Sequence, residues 1–382
     1  MRILIVGSDP RQGLLYYPVR LACAMKAFGH EVRVATWGDR AQTSNLRTEA
    51  TEAGLELLSA PSLAKSGLRA LLGPSLRLRR AVWTWQPDVV QTFGPVSNAQ
   101  AFVAGSRALR VVSIEAMGHG SNSPWPARAG AMLLTPLAHA VVALCKEEMG
   151  RLRRAWVPAE KLHVIYNPID CSDLVGKAAR AQAERGTLLA ALGAPTDAKL
   201  VGYFANFQPR KRHPLVLRAF AEISPSHPNA YLVLAGEGKD LAPCKQLAAA
   251  LHISDRVVFL GRLATDRSIS LLASMDLVVH ASSAETFGYS IVEPLLLGRP
   301  TIVARTGIAT EVEDAGAAIV VNPGDQGAMA RNLHAVLSGT SAFKPHVDAP
   351  HWVRENFDVP VIARRYLDLY GELDRKYRSA AK

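Results

Sequence analysis

Short β-branched runs alternate with helix-length stretches along nearly the whole chain, and the alternation occurs twice. In the first series the strand-like runs are Arg2 to Val6, Glu31 to Thr36, Asp88 to Thr92, Arg110 to Ile114, Ala140 to Ala143 and His163 to Tyr166. In the second they are Leu200 to Phe204, Tyr231 to Ala235, Arg256 to Phe259, Asp276 to Ala281, Thr301 to Ala304 and Ala318 to Val321. Such runs belong to strands covered on both faces, and strands that alternate with helices make a mostly parallel sheet with helices on either side. Pro18 to Phe28 is the first crossover helix, stopped by Gly29, and a crossover of this kind is right-handed. Asn167-Pro168-Ile169-Asp170 looks like an exit turn, and residues 170–199 then become small, polar and charged, as a domain junction does. The expected class is α/β, with two doubly wound Rossmann-like domains facing a cleft. They would occupy residues 1–180 and 195–360, and a closing helix in 361–382 would offer Tyr366, Leu369 and Tyr370 for packing back on the first domain.

A chain of 382 residues is long enough for two such cores. Its formal charge of +11 is unevenly placed: residues 1–190 carry 23 Lys/Arg against 14 Asp/Glu, and residues 191–382 carry 21 against 19. A basic half suits nucleic acid, anionic lipid or an acidic substrate. The sharpest basic stretch, Arg69 to Trp85, interleaves Arg77, Arg79 and Arg80 with leucines, Trp83 and Trp85. It fits a helix lying in a membrane interface, and equally a packing helix with snorkelling arginines. No signal peptide follows Met1 to Val6, and the weakly polar stretch from Ala129 to Cys145 is too interrupted to span a bilayer. Four scattered cysteines with no CxxC pair fit a reduced cytoplasm, and neither a disulfide framework nor a zinc site.

The chemistry concentrates in Ser282 to Gly298, where Glu285 and Glu293 flank an aromatic-glycine turn, Phe287-Gly288. Strand, loop and helix in that order would put Glu285 at the carboxyl end of a strand, where open α/β sheets bind ligands. The following helix start would offer N–H groups to an anion such as a diphosphate. A solvated loop Glu and a capping box, Ser290-x-x-Glu293, fit the same residues. After Leu200 to Phe204 come Asn206, Arg210, Lys211 and Arg212, cations suited to a diphosphate or to a solvated basic turn. Gly236-Glu237-Gly238 is a further tight turn, and Gly13 opens the first loop to close backbone approach. Glu115 and His119 after the fourth strand are possible proton handlers or hydroxyl clamps. No GxGxxG fingerprint occurs, which argues against a nicotinamide or flavin enzyme, and no DxD pair offers ligands for a metal on a diphosphate.

Taken together these residues resemble the retaining glycosyltransferases of family 4, which have the GT-B fold. The E-x7-E element is similar at Glu285 to Glu293, with Gly298-Arg299-Pro300 and Thr306-Gly307 to Glu311 following in the family's order. Lys211 falls on the family's diphosphate-binding lysine, Gly236 and Gly238 on its Gly-rich turn, and Phe259-Leu260-Gly261 on its nucleotide-proximal strand end. Gly29 to Val32 and the Asn167 exit turn resemble landmarks of the first half. Where the family has an arginine before the lysine this chain has Asn206, so Arg210 or Arg212 would supply the second cation. Glu115 stands where the family has a histidine, with His119 four residues on.

The resemblance implies a hexosyltransferase that moves a sugar from a UDP- or GDP-type donor without cofactor or metal; the cysteine pattern suits the cytoplasm, and the charge split with the tryptophan-arginine stretch suits a peripheral place on the inner membrane face. Its acceptor would be a sugar, glycolipid or polyprenyl-linked species of cell-envelope synthesis, on an anionic membrane surface, with no nucleic acid partner. Glu285, Lys211, Glu115 and His119 are the expected catalytic groups. Gly13, Asn206, Arg210, Lys211, Arg212, Gly236, Gly238, Phe287, Gly288, Tyr289 and Glu293 would hold the donor. A nucleotide-sugar epimerase or phosphorylase on the same fold, and a non-catalytic basic binding protein, are the alternatives.

Overall fold

The structure is a computed structural model that describes residues 1–8, 16–37, 48, 50–60, 78–94, 97–98, 102, 107–114, 135–155, 157–343 and 345–378. The chain divides into two compact units, Met1–Ile169 with Asn356–Lys382, and Asp170–Glu355. Gly13, Glu115, His119 and residues 69–77 of the basic stretch lie outside the described residues.

Among the described residues the first unit has seven strands: β1 (Arg2–Ser8), β2 (Glu31–Trp37), β3 (Glu56–Ala60), β4 (Val89–Phe93), β5 (Leu109–Ser113), β6 (Ala140–Ala143) and β7 (Leu162–Val164). They pair in the order β3-β2-β1-β4-β5-β6-β7, and every pairing is parallel. Six of the seven are the strands expected from sequence. The run Glu-Leu-Leu-Ser-Ala of β3 carries no β-branched residue, so its pairing with β2 is set by tertiary context rather than by propensity. Side chains alternate across the sheet. Ile3, Ile5, Val34, Val89 and Val111 enter one core with the helices Tyr16–Ala27 and Val359–Arg378. Leu4, Val6 and Val90 enter a second core with Leu78 and Val82 of the helical stretch 78–85.

The C-terminal helix is part of the first unit's interior. Ile362, Tyr366, Leu369, Tyr370 and Leu373 are buried in its larger core. Their hydroxyls are satisfied there, as buried polar groups must be: Tyr366 Oη lies 2.9 Å from Ser113 Oγ, and Tyr370 donates to Gln91 Oε1 at 3.1 Å. Gln91 Nε2 in turn donates to Ser113 Oγ at 2.9 Å, closing a network across β4 and β5.

The second unit has β8 (Lys199–Phe204), β9 (Ala230–Ala235), β10 (Val257–Phe259), β11 (Leu277–His280), β12 (Thr301–Ala304) and β13 (Ile319–Val321), paired as β10-β9-β8-β11-β12-β13. All pairings are parallel. Val201, Tyr203, Leu232, Leu234 and Val279 face a core completed by Phe220 and Leu333, while Leu200, Val233 and Val278 face the opposite one. Most of the stretch expected as a junction is structured: Cys171–Lys177 is a helix capped by Asp170, and Ala181–Leu192 buries Leu188 and Leu189. A polar composition concealed two adjacent leucines that are enough to seat a helix.

The strand order reverses between β8 and β11. In an open parallel sheet the helices after two such strands go to opposite faces, and the crevice at the carboxyl ends of those strands is the usual place for a ligand.

Candidate active site

Both sequence-predicted carboxylate and cation loops leave the sheet at that crevice. After β8, residues Pro209–Lys211 form a single 3-10 turn, and Arg212 takes a left-handed conformation (φ 51°) that starts the helix His213–Ile223. The buried Tyr203 hydroxyl donates to the Lys211 carbonyl at 2.5 Å. The Ser283 amide donates to the Arg210 carbonyl at 2.7 Å, so the two loops are tied through backbone rather than through side chains alone.

Three groups converge on one oxygen of Glu285. Lys211 Nζ lies 2.5 Å from Oε1, Arg210 Nη1 3.3 Å and His280 Nε2 3.6 Å. Arg210 also donates to the Ala284 carbonyl at 3.1 Å. Only 11% of the Lys211 side chain and 12% of the Glu285 side chain is exposed, so the pair is nearly dry and weakly screened. The backbone amide of Glu285 donates to Thr306 Oγ1 at 2.9 Å, and Ile308 N donates to the Phe287 carbonyl at 2.8 Å, which pins the loop after β11 to the loop after β12. At Gly307 a Cβ would run into that Phe287 carbonyl, so the two loops approach as closely as they do only because the residue is glycine.

Burial acts to raise the Glu285 carboxyl, but His280 and the Lys211 ammonium outweigh it and hold the group well below the usual carboxylate range. Burial pulls Lys211 down and Glu285 offsets this only in part. Glu293, one turn into the helix Tyr289–Leu296, is the opposite case. Burial alone pushes its carboxyl up to about 7, and among the described residues no cation or hydrogen-bond donor meets it. Two carboxylates with such separated ionisation suit two different tasks.

The turn after β9 comes within contact of the turn after β8. A Cβ at Gly236 would overlap the Ala205 carbonyl, and one at Gly238 the Phe207 carbonyl. Both glycines have positive φ, 142° and 150°. The Phe207 amide donates to Glu237 O at 2.8 Å, so this edge of the crevice is walled by bare backbone.

Residues 184–346 match the model of the glycosyl transferases group 1, and residues 12–168 match that of the glycosyl transferase 4-like domain. The chain belongs to the group 1 glycosyltransferases. It is 38% identical over 120 residues to N-acetyl-alpha-D-glucosaminyl L-malate synthase of Bacillus anthracis, a stretch covering 31% of each chain. It is 32% identical over 173 residues to D-inositol 3-phosphate glycosyltransferase of Mycolicibacterium smegmatis, covering 44% of this chain and 39% of that one. The aligned stretches thus span about a third of the length of these curated relatives. In fold it is similar to a glycosyltransferase from Rickettsia africae (TM-score 0.77, 19% identity, 97% of this chain and 98% of that one). It is similar also to Anabaena HepE in complex with UDP and glucose (TM-score 0.76, 21% identity, 97% and 100%).

In this chain the carboxyl ends of β8 and β11 gather Arg210, Lys211, Glu285, Phe287 and Gly288. The two arginines offered as second cation separate clearly. Arg210 reaches Glu285, whereas the guanidinium of Arg212 lies against Gly324, because its left-handed backbone aims the side chain elsewhere. Asn206 is exposed, and Tyr289 stands edge-on to Phe287 with ring centroids 5.3 Å apart. The helix carrying Glu293 is capped by Gly288 at φ 107°, with no side-chain cap, so Ser290 and Glu293 form no capping box. Sequence reading missed His280 and Tyr203, and named Thr306 as a landmark without its bond to the Glu285 amide. His280 and Tyr203 were counted as ordinary strand residues; a polar atom ending an otherwise apolar strand was the signal available.

A raised carboxyl makes a signed prediction. With its folded value near 7 against an ordinary 4.5, Glu293 contributes stability that is present at low pH and lost as pH rises through about 7. Glu293→Gln is therefore expected to gain stability relative to the natural protein by roughly 2 kcal/mol between pH 5 and pH 8. Denaturant unfolding of both proteins at the two pH values reads this, and a difference independent of pH would sink it.

Proposed function

We propose that the protein is a retaining hexosyltransferase that moves a sugar from a UDP- or GDP-type donor to an acceptor hydroxyl. The observation that carries the reading is the nearly dry cluster of Lys211, Arg210 and Glu285 at the β8/β11 switch point. In this reading the donor diphosphate lies along the Gly236–Gly238 turn and the start of the helix Tyr289–Leu296, where backbone N–H groups face it. Glu293 accepts the ribose hydroxyls, Glu285 binds hydroxyls of the donor sugar, and Lys211 with Arg210 takes the charge that develops on the leaving diphosphate. That charge is then carried by side chains rather than by a metal ion. The bond from the anomeric carbon to the phosphate oxygen breaks with its electron pair going to phosphate. The new bond to the acceptor oxygen forms on the same face, and the leaving phosphate takes the hydroxyl proton.

The acceptor in this reading is a sugar, glycolipid or polyprenyl-linked species of cell-envelope synthesis, met at an anionic membrane surface. The first unit supports it with its excess of cations and with the helical stretch 78–85. There Trp83 is 63% exposed, the Arg79 guanidinium lies 5.8 Å from its ring centroid, and Leu78 and Val82 point into the core. No helix of the described residues is long and apolar enough to cross a membrane. The HepE complex with UDP and glucose makes UDP the first donor to try.

The test is incubation with UDP- and GDP-sugars, with and without candidate acceptors, reading nucleotide release and the anomeric configuration of the product by NMR. The expected result is acceptor-dependent release with the donor configuration kept. An inverted product sinks retention, and sugar isomerised without acceptor makes the protein an epimerase. No nucleotide binding at all would move a basic binding protein to the front. Vesicles of anionic lipid at low salt should bind the protein while neutral ones do not; failure there removes the membrane surface from the reading.

A further inference from the structure

His280 ends β11 with no exposed surface, and among the described residues neither of its ring nitrogens has a hydrogen-bond partner. A buried imidazole left unpartnered is costly and calls for an explanation. Its charged neighbour is Glu285, whose Oε1 lies 3.6 Å from Nε2, a long contact that already helps hold the carboxyl down but is not yet a full hydrogen bond. The same oxygen is held by Lys211 and Arg210. If those two cations serve a bound diphosphate, as the donor-site reading above requires, they must turn from the carboxylate to phosphate oxygens. Glu285 would then be a buried anion stripped of both counter-ions. A shift of under about 1 Å brings Nε2–H into hydrogen-bonding distance of Oε1.

We propose that His280 is a positioning residue: it takes over Glu285 by an Nε2–H hydrogen bond when a nucleoside diphosphate draws Lys211 and Arg210 away, keeping the carboxylate ionised and in place. Burial holds the imidazole pKa below its ordinary value, which suits a neutral donor. The charged and titratable groups facing the carboxylate are Lys211, Arg210, His280 and, through its field, Tyr203. Without His280, ligand binding would leave Glu285 with no partner, and a carboxylate so placed takes up a proton. The inference therefore concerns the bound state more than the free one.

The test is calorimetric titration of the full chain with UDP, GDP and ADP in two buffers of different ionisation heat, comparing the natural protein with His280→Leu and His280→Gln. The nucleotide that binds the natural protein is the probe, and its own protonation cancels between variants. His280→Leu is expected to take up close to one additional proton per nucleotide bound at pH 6, and to bind at least about tenfold more weakly at pH 8 than at pH 6, relative to the natural protein. Gln sets an amide near the Nε2 position and should restore the natural behaviour. Equal proton counts in all three proteins overturn the proposal, as does a Leu defect that Gln fails to restore. Should the Leu variant not fold, His280→Asn replaces it: its amide stands at the Nδ1 position, so it must take up the extra proton while Gln does not, and matching Asn and Gln profiles overturn the proposal. If no nucleotide binds the natural protein, it is the donor-site reading that fails.

Discussion

Lys211→Ala is expected to lower turnover by about 10²–10³-fold, the loss seen when one preorganised group that stabilises developing charge is removed. Lys211 Nζ sits 2.5 Å from Glu285 and is 11% exposed, so its charge acts in a poorly screened setting. Arg210, 3.3 Å from the same oxygen, remains and limits the damage to the fold. Removing one partner of a buried pair ordinarily costs about 3–5 kcal/mol, and with Arg210 in place the expected loss is roughly 1–3 kcal/mol. Glu285 is a depressed carboxylate, so its contribution is present above its ordinary 4.5 and lost as pH falls through the folded value. With the ammonium gone that folded value rises, and acid unfolding of the variant should begin at higher pH than in the natural protein. Steady-state kinetics and acid titration followed by circular dichroism read the two effects. A variant with natural turnover would remove Lys211 from the chemistry, and an unchanged acid transition would mean that the pair contributes nothing to the fold. Arginine at this position keeps the charge but is a planar fork in place of a point charge, so it should restore stability better than turnover.

Ending the chain at Asp358 is expected to unfold the first unit while leaving the second folded. The helix Val359–Arg378 buries Ile362, Tyr366, Leu369, Tyr370 and Leu373 against β-strand residues of the first unit. Five large side chains at about 1.5–3 kcal/mol each amount to roughly 10 kcal/mol, comparable to the whole stability of an ordinary domain. The truncation also strips partners from Ser113 and Gln91, which are buried on adjacent strands and bonded to Tyr366 and Tyr370. The second unit, Asp170–Glu355, keeps its sheet and the packing on its two faces. Limited proteolysis with mass mapping would show cleavage spread through residues 1–169 and a protected fragment beginning near Asp170. Protection of the first unit in the truncated chain would mean that its core closes without the returning helix.

Strand periodicity carried most of the fold. Apolar β-branched runs such as Leu-Val-Val before His280 and Ala-Val-Val-Ala at β6 have no use except as buried parallel strands, and they were legible for that reason. The strand β3 was not, since Glu56–Ala60 has neither β-branching nor alternation and is ordered by the edge of β2. The candidate site was legible where residue type limits chemistry: Glu285, Lys211 and Glu293 stood out beside their strand ends. Arg210 and Arg212 could not be told apart, because two residues in one basic turn differ only in backbone direction, and the left-handed φ of Arg212 is a property of the folded turn. His280 was silent, and Thr306 stood only as a landmark, because the contacts that give them a role with Glu285 exist only once the loops after neighbouring strands are brought together.

By itself the sequence determined the class of fold, the two βα series, and the carboxylates and cations available for chemistry, because periodicity and side-chain type are local properties that survive without coordinates. Only the tertiary structure decided that the last helix completes the first unit's core and that β8 lies beside β11. It also decided that Lys211, Arg210 and His280 converge on one oxygen of Glu285. These depend on strand order and on which face of a turn a side chain leaves, and both are settled only when distant segments compete for the same buried space.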